Sequence, residues 1–219
     1  MKIGGRILLA LGAALALAAI VAATATASRP ASHKNAATFK LVPNAKFVPC
    51  FARSTESEQP PTATVTVQRG SLNDTLTVHL RNFKSNLGFD LFTVQHSPFD
   101  ASGQPDPAFT GSFGLAWYQS DIETNGKGSA DVTIKTILLD QIFGFDADVG
   151  LTPVSTFHVG FWFNNPKDAA PCGFDPSKPT PFNGEHDAGP FAMISKPTSA
   201  GVGPLCTHPS ASQPSGCNP

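Results

Sequence analysis

Residues 62–81 read TATVTVQRGSLNDTLTVHLR, and two segments of this stretch alternate between apolar and polar residues. The apolar positions are Ala63, Val65 and Val67 in the first segment and Leu76, Val78 and Leu80 in the second. Successive side chains of a β-strand point to opposite faces of the sheet, so each segment has one apolar and one polar face. Turn-forming residues separate the two segments. The stretch therefore predicts two strands joined by a turn, with the apolar face toward a core.

Five further segments carry a strand signal, at residues 89–95, 113–119, 130–135, 157–163 and 191–194. The chain also contains 20 prolines and 19 glycines, which interrupt helices, and 17 phenylalanines, which suit a half-buried pleated surface. We predict an all-β chain, folded as a single-domain immunoglobulin-like β-sandwich of about seven strands with long loops. A jelly roll or a small barrel is the alternative.

The predicted sandwich domain spans residues 62–195. A lead-in segment at residues 28–61 has scattered polar residues and no clear alternation, so we expect it to be loosely ordered. Residues 196–219 form a tail rich in proline, serine and glycine, again without periodicity. The core is accordingly assigned to the residues between these two segments.

The N-terminus carries the features of an export signal. Lys2 and Arg6 precede an apolar run at residues 7–23, and Ala25-Thr26-Ala27 fits the cleavage pattern of a secretory signal peptide. The alternative, a membrane anchor, needs about 20 predominantly apolar residues, and this run is short and rich in alanine. We predict a signal peptide at residues 1–27 and a mature protein that is secreted, extracellular or cell-wall associated, with no membrane contact after cleavage.

Charge and motifs narrow the function classes. The formal net charge is -1 and 14% of residues are charged, so the chain lacks the basic surface that nucleic acid requires. The sequence contains no serine-hydrolase elbow, zinc-protease motif or nucleotide-binding glycine loop. No cofactor is predicted. A carboxylate pair for hydrolysis of a polymer is formed in space rather than in sequence, so an enzyme stays open as an alternative.

Four cysteines in an exported chain predict two disulfides. If seven strands alternate in direction, the first begins and the sixth ends at the same end of the domain. Cys50 precedes the first predicted strand and Cys172 follows the sixth, so we expect these two to pair. Cys206 then closes a small loop with Cys217 in the tail.

The strand at residues 157–163 has two different faces. Its apolar set, Phe157, Val159, Phe161 and Phe163, is predicted to face the core, which would turn His158 and Trp162 outward. An exposed indole can stack on a sugar ring or an apolar partner. The predicted ligand-binding surface consists of His158, Trp162, Asn164, Asn165, Glu185, His186 and Asp187. The alternative is that the polar loop at residues 164–189 folds over Trp162 and buries it.

Two acidic segments are candidate metal sites, namely residues 185–187 and the pair Asp146 and Asp148. Adjacent residues rarely point at one ion, so residues 185–187 would need ligands from elsewhere. Asp146 and Asp148 lack the further spaced oxygen ligands of a dedicated calcium loop. We interpret both segments as solvated loop side chains and predict no metal.

The function that these patterns favour is non-enzymatic binding outside the cell, with a glycan or an extracellular protein as the ligand. An extracellular hydrolase or lyase that acts on a polymer is the second hypothesis. A structural component of a wall or coat is the third. Exposure of Trp162 distinguishes the first hypothesis from the third.

Overall fold

The computed structural model describes residues 36–54, 59–69, 74–137, 156–178, 180 and 188–206. Within these residues the chain forms nine β-strands, one short α-helix and one 3₁₀ helix. The strands are β1 Ala36–Pro43, β2 Thr62–Gln68, β3 Asp74–Arg81, β4 Gly88–Val94, β5 Ala116–Glu123, β6 Ala130–Ile137, β7 Thr156–Phe163, β8 Phe191–Ser195 and β9 Leu205–Cys206. The α-helix, α1, is Val48–Phe51, and the 3₁₀ helix is Pro166–Cys172.

The strands form a single antiparallel sheet with the order β5-β4-β7-β8-β1-β2-β3-β6, and β9 pairs with β7 outside this path. The two ends of the path, β5 and β6, approach within 8 Å, which makes the sheet nearly barrel-shaped. The predicted all-β class is confirmed. The immunoglobulin-like sandwich is not confirmed, because one continuous sheet replaces two separate ones, and the shape lies nearer to the small-barrel alternative.

Strand β1 makes this continuity. Its first half, residues 36–40, pairs with β2, and its second half, residues 41–43, pairs with β8. The sequence pattern predicted no strand here, because the alternation of Ala37, Phe39 and Leu41 is short and Pro43 soon follows it. The described part of the predicted lead-in therefore contains both β1, which belongs to the sheet, and α1, and it is not loosely ordered.

The main core lies on the inner face of the sheet. All seven predicted strands are present, and most of the predicted core side chains are buried, including Val65, Val67, Leu76, Val78, Leu80, Phe157, Val159, Phe161 and Phe163. Val132 and Ile134 are only partly buried, since their strand, β6, is at one end of the sheet path. Phe51, Phe83 and Phe89 add edge-on and stacked contacts to this cluster, with ring centroids 5.0–6.1 Å apart.

A disulfide joins Cys50 in α1 to Cys172 at the end of the 3₁₀ helix that follows β7, with Cα atoms 6.1 Å apart. The predicted pairing is confirmed. Cys206 lies opposite Thr156 at the start of β7, so it is at the other end of the sheet from Cys172. Its predicted bond to Cys217 lies outside the described residues. We call the end of the sheet next to Cys172 the disulfide end, and the opposite end, where His158 lies near the start of β7, the histidine end.

Among the described residues, no helix is long and apolar enough to cross a membrane.

Candidate functional site

Trp162 is buried, with 1% of its surface exposed. Its ring meets Phe92, Phe113 and Phe191 at centroid distances of 5.2–6.3 Å. These residues belong to a second apolar cluster on the outer face of the sheet. The prediction of an exposed indole is therefore wrong, and Trp162 offers no stacking surface for a ligand.

The cover over Trp162 comes from a segment other than the one considered in the alternative. Phe99 and Phe113 belong to the loop between β4 and β5, whereas the polar loop after β7 contributes Ala188. Gly160, two residues before Trp162, leaves room for this packing, because a Cβ there would lie 3.0 Å from the indole and 2.9 Å from Ile194. Strand β7 is thus buried on both faces.

The other residues of the predicted surface separate. Asn164 and Asn165 lie at the disulfide end, where Asn164 Nδ2 donates to Asp90 Oδ1 at 2.8 Å and Asn165 Oδ1 accepts from the Lys167 amide at 3.1 Å. His158 lies near the opposite end of β7, about 20 Å away at 3.3 Å per residue. These residues do not form one site. Residues 185–187, like Asp146 and Asp148, lie outside the described residues.

His158 instead lines a cavity of about 480 Å³ at the histidine end, which we call the histidine pocket. Its walls come from the loop after β4, from the first residues of β7 and from residues 197–203. The lining includes Gln95, His96, Asp106, Phe109, Thr156 and His158. Among the described residues of the predicted surface, His158 alone lines this pocket.

The loop between β4 and β5 is ordered by its own polar side chains. Asp100 Oδ1 accepts hydrogen bonds from the amides of Ser102 and Gln104 at 2.9 and 3.0 Å and from the Ser102 hydroxyl at 2.6 Å. The same hydrogen bonds lower the pKa of the Asp100 carboxyl. Gln95 Oε1 accepts from the Leu115 amide at 2.9 Å and ties the two ends of the loop together. The pocket wall is therefore held in place although it has no regular secondary structure.

The hydrogen bonds of His158 determine its tautomer. Nδ1 lies 3.0 Å from the carbonyl oxygen of Ser195, which only accepts, so Nδ1 carries the proton. Burial lowers the pKa of His158 to about 4, against the raising effect of the Ser195 carbonyl and with a further lowering by His96. The ring is neutral at neutral pH. Nε2 then has a lone pair and no hydrogen-bond partner among the described residues.

Thr156 lies two residues before His158 and therefore points to the same face of β7. Its Oγ1 accepts from the Gly203 amide at 3.2 Å, and its proton has no acceptor in the described part of the chain. The Thr156 hydroxyl and His158 Nε2 thus offer a donor and an acceptor, separated by about 7 Å of strand. His96, Thr110 and Ser112 are further polar residues of the lining. Phe109, half-buried, adds an apolar wall, and Asp106 is the carboxylate among the described lining residues.

A serine lies beside His158 but is not placed as a nucleophile. Ser195 Oγ is 3.1 Å from His158 Nδ1, yet Ser195 is 1% exposed and its Oγ accepts from the Val159 amide at 3.1 Å. A nucleophilic serine needs access to substrate and a base oriented by a third group.

Among the described residues, no three His, Cys, Asp or Glu side chains are grouped to hold a metal ion.

Sequence reasoning missed the remaining pocket residues, since residues 96–112 carry no motif. The available signal was the loop itself, because long loops without regular structure in a compact domain are often functional. The loop also contains Phe99 and Phe109, which a purely solvated loop would not favour.

No protein family, curated protein or solved structure matches this chain.

Proposed function

We propose that this protein binds a small, hydroxyl-rich ligand outside the cell, such as one unit of a glycan, in the histidine pocket. The observation that carries the proposal is the unpartnered Nε2 of His158, which lines a cavity while Nδ1 is held by Ser195. A fixed, neutral imidazole nitrogen accepts a hydrogen bond from a ligand hydroxyl. Export is supported by the apolar N-terminal run and by the Cys50–Cys172 disulfide.

The combination of Thr156 and His158 favours a polyol over an apolar ligand. One group donates and the other accepts, so together they complement two hydroxyl groups, each of which both donates and accepts. The half-buried ring of Phe109 provides an apolar surface for the C–H face of a sugar. A cavity of about 480 Å³ is also within the usual size range of small-molecule sites.

The polymer-hydrolase hypothesis has less support in this pocket. Hydrolysis of a glycosidic bond uses two carboxyl groups about 5–10 Å apart across the scissile bond. In the described lining, Asp106 is the single carboxylate, and its Oδ1 already accepts from the Ala108 amide at 2.8 Å. Binding without chemistry therefore accounts better for these residues, and a concave pocket fits a glycan unit better than a protein surface.

The test is a glycan array followed by titration calorimetry with the mature chain, using the glycans that the array retains. Thr156→Val removes the donor with little change of shape, and His158→Gln replaces the imidazole. We expect each substitution to weaken binding at least tenfold. Thr77→Val is the matched control, because Thr77 is on β3, away from the pocket, and bonds to Thr133. Retention of full affinity by both pocket variants, or no glycan binding at millimolar concentration, would overturn the proposal.

A further inference from the structure

A second cavity, of about 490 Å³, lies at the disulfide end of the sheet. It is formed by Arg53, which lies just after α1, by the connection between β3 and β4, and by the turn between β5 and β6. Its lining residues are Arg53, Phe83, Lys84, Ser85, Gly126, Lys127 and Gly128. We call this cavity the basic cleft, because three of these residues are cationic and none is acidic.

The clustering of charge is local. The whole chain has 15 basic and 16 acidic residues, yet the described lining residues of the basic cleft carry a formal charge of +3. Three cations outside the cleft each have a carboxylate partner. Arg81 lies 2.7 Å from Asp131, Arg69 lies 3.0 Å from Asp74, and Lys178 lies 3.7 Å from Asp175.

Among the described residues, the cations of the cleft have no carboxylate partner. Lys84 Nζ donates to the Pro49 carbonyl at 2.8 Å, which positions the ammonium without neutralising it. In the described part of the chain, the side chains of Arg53 and Lys127 make no hydrogen bond and no ion pair. The Ser85 hydroxyl is likewise without a partner there. Within the described part of the chain, the cleft therefore combines cations that lack a carboxylate partner with a hydroxyl that lacks a hydrogen-bond partner.

The backbone holds these residues in fixed relative positions. The amides of Arg53 and Lys84 donate to the carbonyls of Asn82 and Phe51, at 2.9 and 2.7 Å. Asn125 Oδ1 accepts from the Lys127 amide at 2.9 Å. Gly128 then approaches Phe83 so closely that a Cβ would lie 1.8 Å from the Phe83 carbonyl oxygen.

We infer that the basic cleft binds a tetrahedral oxyanion, namely a sulfate or phosphate ester group carried by an extracellular molecule. A lone carboxylate needs one bidentate arginine, whereas a lining with three cationic residues and a serine hydroxyl suits an oxyanion with more acceptor atoms. Because the site lies at the opposite end of the sheet from the histidine pocket, it is independent of the proposed saccharide site. The sulfate and phosphate sources share this chemistry.

The test measures binding by the mature chain at low ionic strength, where exposed charges are least screened. The probes are inorganic sulfate, inorganic phosphate, and a sulfated oligosaccharide with its desulfated counterpart. We expect the sulfated oligosaccharide to bind and the desulfated one not to bind, if the source is a sulfate ester. Preference for inorganic phosphate over inorganic sulfate would assign the site to phosphate esters instead. Either preference supports an oxyanion site.

The variants isolate the cleft. Arg53→Gln combined with Lys127→Gln should weaken oxyanion binding at least tenfold, with unchanged thermal stability because both side chains are exposed. Lys135→Gln is the control, since Lys135 is an exposed cation on β6 outside the cleft. His158→Gln should leave oxyanion binding intact, which separates this inference from the proposed function. Equal losses in Lys135→Gln and the double variant, or no binding of any probe, would overturn it.

Discussion

The Nδ1 atom of His158 in β7 lies 3.0 Å from the carbonyl oxygen of Ser195, the last residue of β8. Burial keeps this imidazole neutral by lowering its pKa from the ordinary 6.5 to about 4. Between pH 6.5 and pH 4 the unfolded chain therefore binds a proton at this residue that the folded chain does not. The stability that neutral His158 contributes to the folded protein is fully present above pH 6.5. As the pH drops toward 4, the free energy of unfolding falls by about 3 kcal/mol in total.

The measurement is urea unfolding of the wild type and His158→Gln at pH 7.5, 6, 5 and 4.5. The difference in unfolding free energy between the two proteins should shrink as the pH falls. The other histidines are present in both proteins and cancel in this difference. A difference that stays constant over this range would show that His158 titrates normally in the folded protein.

Truncation of either face of β7 should destabilise the protein. Phe161 packs in the main core and Trp162 packs beneath the loop between β4 and β5, and both are no more than 1% exposed. We expect Phe161→Ala and Trp162→Ala each to cost roughly 3–5 kcal/mol, from lost burial and the cavity that remains. Gln68→Ala, at an exposed position on β2, should change the free energy of unfolding by less than about 0.5 kcal/mol. A small effect for Trp162→Ala would mean that the covering loop opens readily.

Removal of the Cys50–Cys172 disulfide should cost roughly 4–5 kcal/mol. The two cysteines are 122 residues apart, and a crosslink that closes so long a loop removes much conformational entropy from the unfolded chain. Urea unfolding of the double variant Cys50→Ser, Cys172→Ser measures the loss. Replacing Cys206 and Cys217 together should cost less, because the predicted bond closes a much shorter loop. Non-reducing peptide mapping that joins Cys50 to either tail cysteine would contradict this ranking.

Two glycines of the turn between β5 and β6 should differ in how much stability the protein loses when each is replaced by alanine. Gly128 has φ +71° and no room for a Cβ, whereas nothing lies within 4 Å of a Cβ at Gly126. Gly128→Ala should therefore cost roughly 2 kcal/mol or more. Gly126→Ala should be nearly neutral. Thermal unfolding of the two variants compares them directly, and equal stabilities would show that the turn is not held against Phe83.

Strands with one solvated face could be predicted well from the sequence. In β2, Val65 is buried between the less buried Thr64 and Thr66, as the alternation predicts. In β3, Val78 is likewise buried between Thr77 and His79. Strand β7 shows the limit of the same reasoning. Alternation separates Phe161 from Trp162 onto opposite faces, but it carries no information about a distant loop that covers one face. For that reason the core was predicted, while the environment of Trp162 was not.

The pocket depended on long-range packing in the same way. His158 was singled out because it shares a face with Trp162, whereas its actual neighbours, such as Asp106 and Phe109, come from a loop that has no motif. The cysteine pairing succeeded despite the missed strand β1. Since β1 precedes Cys50, it adds an element without changing the direction of any strand between Cys50 and Cys172.

The division of β1 between two partners has a kinetic consequence. Its first half pairs with β2, which is near in sequence, but Leu41 pairs with Ser195, so the second ladder requires almost the entire folded part of the chain. Contacts between residues so distant in sequence form slowly, because the entropy cost of closing the loop comes before strand pairing stabilises the contact. Until β8 is available, the second half of β1 is an open edge that can recruit a strand from another molecule. Aggregation during refolding should therefore begin at this edge.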